Sequence, residues 1–97
     1  ASNKEAAALK LLLDVAAHQE EESAVRGAAL RALAGRDAPG TIELACLALA
    51  HGDATLIEDA YAALFTLKRT RRAEMREASK MCAPRAAAIL NTVTSDE

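Results

Sequence analysis

The sequence predicts an all-α domain: a short right-handed helical-repeat array (an α-solenoid) of about five to six helices. Three observations predict it. Roughly a quarter of the 97 residues are Ala, which enters a helix at the least cost in propensity and side-chain entropy. β-branched residues are scattered and never alternate with polar ones, so no segment reads as a strand. The third observation is internal similarity. Ala24-Val25-Arg26-Gly27-Ala28-Ala29-Leu30-Arg31-Ala32-Leu33 returns as Thr55-Leu56-Ile57-Glu58-Asp59-Ala60-Tyr61-Ala62-Ala63-Leu64, an offset of 31 residues. A period of roughly 20–50 residues marks stacked repeats.

The elements follow in order. Helix one runs from Lys4 to Ala17, with Leu9, Leu12, Leu13 and Ala16 on one stripe at helical spacing. The Glu20-Glu21-Glu22 run interrupts it, and Ser23 is the expected N-cap of helix two. Helix two ends at Ala34, with Val25, Ala28, Ala29, Ala32 and Leu33 inward and Gly35 as its left-handed terminator. Asp37-Ala38-Pro39-Gly40 opens helix three, which reaches Ala50 and buries Ile42, Ala45, Cys46 and Leu49. Past the Gly52-Asp53 turn, helix four spans Thr55 to Lys68 and buries Leu56, Ala60, Ala63, Leu64 and Leu67. Thr70 is the expected cap of helix five, from Arg71 to Cys82. Pro84 belongs in the first turn of helix six, which ends near Thr92. Leu12–His18 also aligns with Ala45–His51, an offset of 33 residues. The plan is one domain, 1–94: two helix pairs over 4–68, an atypical C-terminal cap over 70–92, and a frayed tail at 95–97. Ala1-Ser2 reads as the remnant of an expression tag.

Composition narrows the function classes. The chain has room for one core only. No apolar run approaches the roughly 18–20 residues of a membrane span, and no signal peptide is visible. Two cysteines without metal-like spacing fit buried thiols in a reducing compartment, so the expected location is cytoplasmic. The net charge of −2 hides an asymmetry: residues 1–59 carry five basic and ten acidic side chains, residues 60–97 seven basic and four acidic. There is no Gly-rich phosphate loop, nucleophile elbow or metalloprotease helix. The expectation is therefore no enzyme, no cofactor and no metal. His18 and His51 occupy equivalent helix C-termini, where a histidine complements the negative helix end. Cys46 and Cys82 read as small core hydrophobes, and Tyr61 and Phe65, one turn apart, as residues packed in the core or under helix five, with an exposed aromatic anchor as the alternative.

The motif Glu22-Ser23-Ala24-Val25-Arg26, followed by Ala29-Leu30-Arg31-Ala32-Leu33, resembles the second helix of a HEAT repeat, in the short form of phycobilisome-lyase-like bacterial proteins. Gly52-Asp53-Ala54-Thr55-Leu56, followed by Asp59-Ala60-Tyr61-Ala62-Ala63-Leu64, keeps the apolar frame but carries Ile57 where that family has Arg. The resemblance covers Lys4 to Lys68. A compact helical bundle and a tetratricopeptide-like array are the alternatives. The first would bring helix one onto helix four or five; in a stack each unit meets only its neighbours.

What the resemblance implies is a non-catalytic protein-interaction or scaffold module, with the second helix of each pair on the binding face. The candidate partner-binding residues are Arg26, Arg31, Glu58, Ala62, Lys68, Arg69, Arg72 and Arg76. Of these, Arg69, Arg72 and Arg76 follow helical spacing with Lys80, forming a basic stripe suited to an acidic protein segment. Nucleic-acid binding through the same stripe is the alternative, and a homodimer is the further partner expected of an uncapped apolar face.

Overall fold

The computed structural model describes residues 3–95; Ala1, Ser2, Asp96 and Glu97, and with them the expected tag remnant and most of the expected tail, lie outside the described residues. α1 (Asn3–Ala17) and α2 (Ser23–Gly35) form the first helix pair, α3 (Thr41–His51) and α4 (Ala54–Ser79) the second, and α5 (Pro84–Thr94) closes the chain. No strand occurs among the described residues. α2 and α4, the repeat-related helices, share the most extensive interface. α1 meets α2 and α3 but neither α4 nor α5, and α5 meets α3 and α4 but neither α1 nor α2. The helices therefore pair sequentially, and the domain is flattened, with extents of 38 × 29 × 20 Å.

Small side chains allow this packing. Ala29, Ala34, Ala45, Ala48, Ala60, Ala63 and Ala86 are buried among Leu30, Leu33, Leu49, Leu56, Leu64, Leu67, Met75 and Leu90. Gly27 lies against α4, where a side chain would not fit. A Cβ there would fall on the Asp59 carboxylate, which accepts from Arg31 Nε at 2.5 Å. The stripe of α2 is rotated from its expected position: Leu30 is buried, whereas Ala28 and Val25 face solvent. The 27/30/34 edge of the helix is turned inward, with Gly27 against Asp59 of α4, and 25 and 28 lie outward.

The caps also differ from expectation. Glu22, not Ser23, is the N-cap of α2, and it makes no side-chain cap bond. Ser23 Oγ instead donates to Asp53 Oδ2 at 2.7 Å. Asp53 caps α4 by accepting from the Leu56 N–H at 3.0 Å, so one carboxylate ties together the starts of both repeat-related helices. Gly35 remains helical. The left-handed residue after α2 is Asp37, φ 53°, flanked by Ala38 N–H to Leu33 O (3.0 Å) and Asp37 N–H to Ala34 O (3.0 Å), which is a Schellman closure. Gly40, φ 88°, supplies the left-handed turn into α3.

Helices four and five of the sequence reading are the two segments of α4, which meet at a kink at Arg71 (φ −131°, ψ 32°), where the sequence reading divides them. Thr70 does not cap the second half; its hydroxyl lies 3.2 Å from Asp37 Oδ1 and 3.5 Å from Leu67 O. Arg71 explains the break. Its Nε donates to Asp37 Oδ1 at 2.5 Å, Nη2 to Asp37 O at 3.0 Å and Nη1 to Glu74 Oε1 at 2.8 Å. The guanidinium thereby fastens α4 onto the α2–α3 turn. These contacts hold the Asp37 carboxyl below the usual carboxylate range, chiefly through the Arg71 hydrogen bond.

Candidate functional site

The α2–α4 face carries a solvent-open groove of about 560 Å³ lined by Arg31, Ile57, Glu58, Tyr61, Ala62 and Phe65. Its floor follows from helical spacing. Inward positions 56, 60, 63, 64 and 67 of α4 bury against the core, so 58, 61, 62 and 65 fall on the flank and outer side. Phe65 is 50% exposed, contrary to the expectation that both aromatics pack inside; Tyr61 is half-buried beside it. Their ring centroids are 5.8 Å apart at a 39° tilt, an arrangement favoured by the ring quadrupoles. Lys68 Nζ stands 4.8 Å from the Phe65 centroid, a cation–π contact that keeps the ammonium at the end of the groove. Arg31, paired with Asp59, forms the α2 wall.

Three of the candidate residues, Arg31, Glu58 and Ala62, thus meet in the groove, and Lys68 adjoins it through Phe65. Arg69, exposed, and Arg72, half-buried, continue the α4 surface beyond it. Arg26 and Arg76 do other work. Arg26 Nε donates to the Ala16 carbonyl at 3.1 Å, satisfying the C-terminal end of α1, where carbonyls lack helical partners. Arg76 Nη2 donates to Thr94 O at 3.1 Å, doing the same for α5. The helix break and these contacts divide the expected basic stripe: Arg76 is fastened to α5, and Lys80 pairs with Glu77 at 3.2 Å. Sequence reasoning left Ile57, Tyr61 and Phe65 out of the site. The signal was present, because 57, 61 and 65 form an i, i+4, i+8 row beside the inward stripe.

His18 lies just past α1 and His51 ends α3, and no cluster of three or more His, Cys, Asp or Glu suited to a metal occurs among the described residues. No described helix is long and apolar enough to cross a membrane. Cys46 is buried in α3, as expected, whereas Cys82 is only partly buried in the turn after α4. Comparison of the chain with protein-family models, with curated proteins and with solved structures finds no match.

Proposed function

We propose that this domain is a non-catalytic protein-interaction module, HEAT-like in its frame, that receives an acidic and apolar segment of a partner protein on its α2–α4 face. The observation that carries the reading is Phe65, half-exposed beside Tyr61 in a groove with cationic side chains at its end. A large aromatic left in water is the usual anchor of a binding surface. Ile57, Tyr61 and Phe65 offer contact to an apolar side chain, and Lys68 and Arg69 attract carboxylates placed beyond it. Sequential helix pairing supports the repeat frame. The nucleic-acid alternative has less support, since the kink at Arg71 and the Arg76 contact to α5 divide the basic stripe that it needs.

Peptide display on the folded domain tests the proposal. The enriched peptides are expected to carry Asp or Glu next to Leu, Ile or Phe. In fluorescence anisotropy, Phe65→Ser should weaken them by about tenfold or more, with the melting temperature unchanged. Arg69→Glu should weaken the acidic peptides selectively. Absence of enrichment, or peptides indifferent to Phe65→Ser, defeats the reading; stronger binding to an oligonucleotide, falling steeply with salt, favours the alternative.

A further inference from the structure

Two thiols that stand 36 residues apart in the chain meet in the fold: the Cys82 S–H points at Cys46 Sγ, with the sulfurs 3.0 Å apart. Both are free. The separation is only about 1 Å beyond the ~2.05 Å of a disulfide bond. Cys46 lies on the buried face of α3, and Cys82 sits partly exposed in the turn joining α4 to α5. A second groove, bordered by Glu43, Leu47, His51 and Met81, opens onto the pair. Cys82 lines this groove and is only partly buried, so reagents have access from its side.

We propose that Cys46 and Cys82 are an oxidisable dithiol that a small-molecule disulfide converts into an intramolecular disulfide, stapling α3 to the α4–α5 turn. Cys82, the accessible member, attacks first. Its thiolate displaces one reagent thiol and leaves a mixed disulfide on Cys82. Cys46 then loses its proton to solvent and attacks Cys82 Sγ, releasing the second reagent thiol. The protein gives up two electrons and two protons, and the reagent disulfide leaves as two thiols. Burial, the adjacent Cys82 thiol and the Glu43 charge all raise the Cys46 pKa. Cys46 is accordingly the resolving partner and a poor first nucleophile. The bond closes residues 46–82 into one loop and fixes α5, which has no contact with α1 or α2, to the helix pairs that carry the groove.

The test uses the purified, fully reduced chain, treated with oxidised glutathione and followed by intact mass and non-reducing electrophoresis. The expected product is a monomer lighter by two hydrogen atoms, with no glutathione retained. Its melting temperature should rise by about 10 °C or more, given the long loop closed, and return on reduction. Cys46→Ser should retain one glutathione, on Cys82. A wild-type product that keeps glutathione, cross-links between chains or leaves both thiols titratable overturns the proposal, and that result does not depend on whether the variant folds.

Discussion

Positions 26 and 57 are equivalent in the two helix pairs and serve opposite ends. Arg26 folds back onto the Ala16 carbonyl and fastens the first pair together. Ile57 has nothing to donate, and its side chain becomes a wall of the groove beside Tyr61 and Phe65. The capping residues diverge in the same way, with Glu22 making no cap bond and Asp53 making one to α4 and one to α2. The lesson is that one backbone frame accepts either a fastening or a recess at the same place, and the recess lies where the repeated motif lapses.

The largest effects should come from the frame itself. Leu33→Ala and Leu64→Ala remove equivalent, fully buried side chains, and each should cost about 2–5 kcal/mol in chemical denaturation. A loss below about 1 kcal/mol at one site only would break the equivalence. A smaller effect separates the two positions compared above. Arg26→Ala should cost about 1 kcal/mol by orphaning a carbonyl at the end of α1. Ile57→Arg, in contrast, should leave stability within about 1 kcal/mol while abolishing peptide binding in the groove. If that arginine stabilises the second pair as much as Arg26 stabilises the first, the lapse at 57 is a defect and not a recess.

The smallest effect is a matter of pH. The Leu56 N–H, first, and the Ser23 hydroxyl hold the Asp53 carboxyl below its usual range. A carboxylate with a lower pKa in the folded than in the unfolded chain contributes stability above its unfolded pKa, about 3.9. That contribution fades as pH falls below about 4, through the lowered folded value. Urea midpoints measured from pH 7 to pH 3 should therefore drop less steeply in Asp53→Asn than in the parent.

Much of the fold was legible, and the reasons are local. Leu56, Ala60, Ala63, Leu64 and Leu67 recur at helical spacing and are all buried; Pro84 opens α5 where its fixed φ suits a helix start. What escaped depends on partners distant in the chain. Ser23 has the chemistry of an N-cap but finds Asp53 instead. The inward face of α2 includes Gly27 against Asp59, a contact that no single-helix periodicity encodes. Of the groove, Arg31, Glu58 and Ala62 were identified from the repeat, whereas helical spacing alone left Phe65 open between a packed ring and an exposed anchor. The Cys46–Cys82 approach spans 36 residues, beyond the reach of spacing rules.

The break at Arg71 sets the phase of everything after it. As a straight rod, the 26 residues of α4 would extend about 39 Å, the full 38 Å length of the domain, and would carry α5 off the end. Bent, the helix returns Met75 to the interior and presents α5 to α3. Each residue added to a helix turns whatever follows by about 100°. The stretch between Leu67 and Met75 therefore acts as a ruler: its length is fixed, because one inserted residue would swing Met75 away from the core and part the two sulfurs.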